Sequence, residues 1–322
     1  MGKIKKLLIV AIVLILVGIA GSIFTFKPML QQKSISEEKV INETFSRIAI
    51  VTNNTEVEIF PTTDATAKID ITGKLAKGSV YDVAANVEKS ILSIDVKYEQ
   101  RNFASFFPSS LSLQVYVPES VYESLQVKGD DGRIIVSDIQ AKDMNIKTDN
   151  GNIDVRNVKG TTFKAQSNDG TTKLNNITAT DVLVKSDNGN IELINAKAST
   201  VKTEVNDGTT NLNHVTAANA HMKSDNGKIN LEKIEGQMSA TAYDGGISLV
   251  TNQLESPITF KTANGDIHIQ TKEKPTNATI NTSVENGKVN IFGNSNSSTV
   301  FGNGEYMIHL ASNDGSITVG EK

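Results

Sequence analysis

The chain has 322 residues, of which 38% are hydrophobic, 21% charged and only 5% aromatic, and it contains neither Trp nor Cys. This composition suits a folded body rather than a disordered one, and it excludes disulfides, thiolate metal sites, cysteine nucleophiles and lipid attachment through cysteine. Net charge is -4; a mildly acidic body lacks, on composition, the basic stripe that a nucleic-acid backbone or other anionic polymer needs.

In chain order, Lys3, Lys5 and Lys6 precede an uncharged apolar run over residues 7–26. A helix of about 20 such residues crosses a hydrocarbon core of ~30 Å. The lysines favour the cytoplasmic side, which predicts a single-pass anchor over 1–26 with everything after Lys27 outside the cytoplasm. A cleaved signal peptide is the competing reading, because Gly18 and Ala20 are small, but the run is longer than a signal h-region and lacks an A-x-A-like site. Residues 27–44 read as a polar tether. Residues 45–129 contain alternating stretches such as RIAIVTNNTEVEIF and SLQVYVPESV, which predict a strand-rich lead-in and cap.

From 130 to 322 the chain repeats itself. Turn dipeptides end in glycine at 132, 151, 170, 189, 208 and 227, and less evenly at 245, 265, 287 and 315. Two places after each glycine stand Ile134, Ile153, Thr172, Ile191, Thr210, Ile229, Ile247, Ile267, Val289 and Ile317. Two further on, from Val136 to Val319, every residue is aliphatic. Side chains two apart point to the same side of a strand. Nine places after the glycine come only Ala or Gly, from Ala141 to Gly236, as a corner with closely stacked backbones demands.

A 19-residue unit cannot bury its own apolar side, so stacking is required. The expected fold is all-β, a parallel β-solenoid with about 19 residues per coil after one N-terminal transmembrane helix. Ten coils would make a rod of about 45 Å, with FGNGEYMIHLASNDGSITV closing its far end. Coils of 38 residues are the alternative. The residues before each glycine favour 19: Asp149-Asn150, Asn168-Asp169, Asp187-Asn188, Asn206-Asp207 and Asp225-Asn226 exchange order at each repeat. A 19-residue coil then stacks Asp on Asn instead of carboxylate on carboxylate, with Asn and Gly taking up the positive φ of the turn.

Chemistry-bearing motifs are sparse. Repeated Asp-rich turns can hold Ca²⁺ in G-G-x-G-x-D solenoids, but that motif is absent and turn formation accounts for the residues. A sugar-cleaving β-helix needs paired carboxylates beside a groove and usually aromatic platforms; Trp is absent and the six Tyr are scattered. His214, His221, His268 and His309 show no metal-binding spacing. No catalytic residue, cofactor site or metal site is predicted. Phe103, Phe106 and Phe107 fall in a stretch that breaks strand alternation, and they are candidates for membrane or partner contact or for plugging the open end of the core.

One N-terminal apolar segment, a strand-rich lead-in with VPES at 117–120, and units such as SDNGNIEL at 186–193 together resemble a bacterial family of membrane-anchored candidate adhesins, some of them from Gram-positive cell-envelope-stress operons. The resemblance implies a surface-exposed β-strand repeat domain over 45–322 and supplies no catalytic residues. The expected function is a non-enzymatic scaffold at the cell envelope that contacts the membrane through its helix and an envelope protein or wall polymer through its body. A sensory accessory of an envelope-stress system is the alternative.

Overall fold

The computed structural model describes residues 2–26, 32–76, 78–99 and 109–321. Phe103, Phe106 and Phe107 therefore lie outside the described residues. A helix spans Gly2–Phe26, and its Lys5–Ile23 stretch, with a mean hydropathy of 2.7, is long and apolar enough to cross a membrane. Every other regular element is a strand.

The strands form a β-solenoid-like stack with two sides. On one side, parallel neighbours run Ile91–Glu99, Arg47–Thr52, Val121–Asp131, Gln140–Asn150, Thr162–Asp169 and onward. On the other they run Ser110–Pro118, Thr55–Thr62, Ile134–Ser137, Ile153–Lys159, Thr172–Thr178 and onward. Partners lie 19 positions apart from Val121↔Gln140 to Thr216↔Glu235. The step becomes 18 at Ile229↔Ile247 and 20 at Ile247↔Ile267. Asp therefore stacks on Asn, as in Asp169↔Asn188 and Asn188↔Asp207.

The aliphatic columns form the interior. Ile153, Ile191, Ile229 and Ile267 are each 0% exposed, as are Val155, Leu174 and Leu193. Each such side chain rests on its counterparts in the rungs above and below, so one continuous core joins lead-in and repeats. The corner six places after each of the first six turn glycines is also built in, because Asp138, Asn157, Asn176, Asn195, His214 and Lys233 all take φ of 52–61°. Asn tolerates that conformation best, and Asn176 donates to Asn157 at 2.8 Å along the corner.

Two expectations need correction. Residues 45–129 do more than cap, since Arg47–Thr62 and the pair Ile91–Glu99 with Ser110–Pro118 are complete parallel rungs of the stack. The cap is instead antiparallel: Val80–Glu88 on Ile91–Glu99, and Ala67–Ala76 on Ser110–Pro118 with Gln32–Ile41 outside it. The C-terminal segment does not close the far end. Ile258 pairs with Ile308 and Ile267 with Ile317, 50 positions away, and Ile280 and Val289 then pair with Ile308 and Ile317. The last coil in sequence is therefore the penultimate rung in space. Antiparallel Ser298–Phe301 covers 278–281 at the end, with Phe292 and Phe301 edge to face at 5.5 Å. Both ends are thus unlike the interior, which blocks end-to-end growth of the stack.

Positive φ occurs at only half of the turn glycines. Gly132, Gly170, Gly208, Gly245 and Gly315 have φ of 108–154°, while Gly151, Gly189, Gly227, Gly265 and Gly287 do not. In spatial order the two kinds alternate without exception, with Asp before the first kind and Asn before the second. Glycine persists at the second kind for steric reasons: a Cβ on Gly227 would run into the Gly208 carbonyl of the rung below.

Candidate functional site

The Asp/Asn alternation becomes a ladder of amide-to-carboxylate hydrogen bonds along one corner. Asn150 donates to Asp131 at 2.8 Å, Asn188 to Asp169 at 3.0 Å, Asn226 to Asp207 at 2.8 Å and Asn286 to Asp314 at 2.8 Å. A second line inside it joins Asn168 to Asp149 and Asn206 to Asp187, both at 3.3 Å. These bonds give the carboxylates a structural task. Among the described residues no three His, Asp or Glu groups converge as a metal site. Asn188→Asp should place three carboxylates on successive rungs, costing about 1–2 kcal/mol. Urea unfolding should show a smaller loss in high salt, because screening weakens the repulsion.

Beside this ladder, stacking produces something that composition concealed. Four places before the turn glycine, one outward column contains Lys128, Lys147, Lys185, Lys223 and Lys261; two places further back, its neighbour contains Lys164 and Lys202. The result is one lysine per rung over six successive rungs, zigzagging between two columns. Glu204 is the carboxylate within them, bonded to Lys185 and Lys202 at 2.5 Å each. Its hydrogen bonds from Lys185 and then Lys202 hold it below the ordinary carboxylate range. Lys223 meets Asp225 at 3.0 Å, whereas Lys128, Lys147, Lys164 and Lys261 have no ion pair among the described residues. The band's lysines form no basic segment in sequence, so only the 19-position stacking reveals them.

Tyr243 sits in the same face with 62% of its surface exposed. It borders an open hollow lined by Lys223, Asp225, Thr241, Lys261 and Asn313. Elsewhere the described surface has two adjoining shallow hollows of about 370 and 350 Å³, where the 252–257 loop interrupts the stack beside Lys233. Asp154 forms a separate cluster, accepting from Arg133 at 2.5 Å and Arg156 at 2.7 Å. Burial pushes its carboxyl up, but the two guanidiniums outweigh that and hold it below the ordinary range. A buried carboxylate bridging two arginines ties adjacent rungs together and leaves no free acid or base. His214 occupies the left-handed corner, and His221 and His309 stand on the outer face in the same column as Lys164 and Lys202.

No curated protein matches the sequence. Among solved structures, a candidate adhesin from Bacteroides fragilis matches over 89% of this chain and 97% of its own, at 14% identity and a TM-score of 0.43. A candidate lipid-binding protein from Parabacteroides distasonis matches over 88% and 96%, at 14% identity and a TM-score of 0.45. A candidate cell adhesion protein from Clostridium sporogenes covers 90% and 100%, at 11% identity and a TM-score of 0.25. The Toastrack DUF4097 family model matches residues 45–180 and 162–320, which together take in both the lead-in rungs and the repeats. The chain belongs to the Toastrack DUF4097 family.

Proposed function

We propose that this protein is a non-enzymatic, extracytoplasmic surface scaffold of the cell envelope, held by its N-terminal helix and built from 19-residue coils. Its long side presents a patterned polar face to an envelope protein or wall polymer. The observation that carries this reading is the lysine band with its flanking aspartate ladder, a surface extended over many rungs in place of a single enclosed pocket. Enzymes concentrate a few groups in a cleft, whereas this face distributes its charge along the stack. The described titratable groups with shifted proton affinity are explained by ion pairs, hydrogen bonds and burial within the fold.

Site-specific photo-crosslinkers at Lys147, Lys202 and Lys261 in the full chain, expressed in intact bacteria, test this proposal. Capture of a discrete protein adduct from these positions, a second copy of the chain included, and far less from the opposite side at Asn211, is the expected result. Hydrolase or lyase activity of the purified chain on wall glycans would contradict it.

A further inference from the structure

The lysine band and the aspartate ladder run side by side, and their charges nearly cancel. Each of the six rungs from Val121–Asp131 to 219–226 has one lysine in the band and at least one aspartate at its edge: Lys128 with Asp130 and Asp131, Lys147 with Asp149, Lys164 with Asp169, Lys185 with Asp187, Lys202 with Asp207, Lys223 with Asp225. In four of these rungs lysine and aspartate stand two residues apart, about 6.6 Å along the strand and inside a Debye length of ~8 Å in physiological salt; at 164/169 and 202/207 they stand five residues apart, about 16 Å. A simple polyanion laid along the lysines would therefore feel the aspartates almost as strongly. The partner that gains from both lines must itself have a negative and a positive line, in reversed lateral order and at the same axial spacing.

A second copy of this chain meets that requirement. A half-turn about an axis parallel to the rod exchanges left and right without shifting any rung, so each lysine line faces an aspartate line at equal height. The axis position is consistent from rung to rung. Where the lysine stands four places before the glycine, its aspartate stands two before it, as in 128/130, 147/149, 185/187 and 223/225; where the lysine stands six before, as at 164 and 202, the aspartate stands one before, at 169 and 207. Both arrangements centre within half a residue of the same line, about three places before the glycine. From this geometry we infer that the chain forms a parallel, side-by-side homodimer through its lysine and aspartate face.

Two further observations fit the same operator. The next rung, 237–244, has Thr241 and Ser239 in the lysine columns and exposed Tyr243 in the aspartate column. The half-turn sets each Tyr243 against the partner's Thr241 and Ser239, where no lysine obstructs it, giving an aromatic anchor within a polar rim. Seven rungs at ~4.8 Å and a width of about 20 Å cover roughly 670 Å² per partner, near the ~800 Å² per partner of a standard interface. The inference rests on the anchored reading in one respect: two chains held by N-terminal helices in one bilayer present their rods in parallel, as this axis requires, and their tethering raises effective concentration.

The test uses the full chain in phosphatidylcholine vesicles, as an equal mixture of ¹⁴N- and ¹⁵N-labelled protein. A water-soluble carbodiimide joins a lysine amine to a carboxylate as an amide, with loss of water. Mixed-isotope crosslinks such as Lys147 to Asp149, at low salt and at least tenfold fewer at high salt, are expected. K128E/K223E and D130K/D225K should each lose the dimer at least tenfold, because like charges then meet, and an equal mixture of the two variants should restore it. Restoration also shows that both variants fold. Wild-type chains that remain monomeric, a mixture that fails to recover, or chains that bind polyphosphate as monomers through the band would each overturn the dimer. Vesicle flotation decides the anchor separately; should the chain fail to float, the same crosslinking in detergent micelles still decides the dimer.

Discussion

Replacing Leu193 with aspartate is expected to destabilise the protein by at least about 4 kcal/mol. Leu193 is 0% exposed and rests between Leu174 and Leu212. A carboxylate there has no hydrogen-bond donor or cation within its column, and an uncompensated buried charge costs about 3–5 kcal/mol beyond the lost apolar burial. The outward neighbour gives the contrast. Glu192 is ion-paired to Lys173 at 3.2 Å at the surface, and Glu192→Gln should change stability by no more than about 1 kcal/mol. Stacked repeats unfold in parts, so the checking measurement is hydrogen exchange read rung by rung, with protection lost first around 172–216 in the Leu193 variant.

Gly227→Ala is expected to have the second largest effect, about 3 kcal/mol, although it adds only one methyl group. That methyl would enter the Gly208 carbonyl, whose carbon is also within contact range, at a turn where Gly227 N–H donates to Asp244 at 2.8 Å. Backbone atoms of the adjacent rung cannot rotate away as a side chain would, so the stack must open locally; overpacking of this kind costs about 1–3 kcal/mol and occasionally more. Gly320→Ala is the matched control. Nothing lies within 4 Å of the methyl it would add, and its thermal midpoint should stay close to wild type, within the ±0.5 kcal/mol of an ordinary surface change.

The interior of the stack was legible because burial leaves a simple trace: a column that must be apolar in every rung is aliphatic throughout, from Val136 to Val319, and recurs every 19 residues as far as Leu231. The left-handed corner was less visible, since Asn157, Asn176 and Asn195 share it with Asp138, His214 and Lys233, and a column of such mixed residue types, with a lysine among them, does not announce that conformation. The spatial order at the far end was encoded, but not in the hydrophobic pattern. In chain order the residues before the last turn glycines read Asp244, Asn264, Asn286, Asp314, which breaks the alternation; placing the last coil before the penultimate one restores it. Asn286 then donates to Asp314, as every other rung of that ladder would lead one to expect.

The lysine band escaped composition and window-based reading for a different reason. Its members are 17 to 38 positions apart in sequence and switch column between rungs, so they become neighbours only through the pairing register. Phe103, Phe106 and Phe107 fall outside the described residues, and their candidacy for membrane or partner contact stands as a proposal from sequence alone.

The order of the rungs is tested most directly by paired cysteines, since the chain has none of its own. Disulfides form where Cα atoms lie about 4.4–6.8 Å apart and fail beyond ~7 Å. Thr259 neighbours His309, and His309 neighbours Asn281, so the full chain with cysteines at 259 and 309, or at 309 and 281, should close its bond under mild oxidation. The pair at 259 and 281, separated by a whole rung, should remain reduced. Closure of the 259 and 281 pair with failure of the 259 and 309 pair would show that the coils stack in chain order, because 281 and 309 are neighbours in either arrangement, and would contradict the rung order described above.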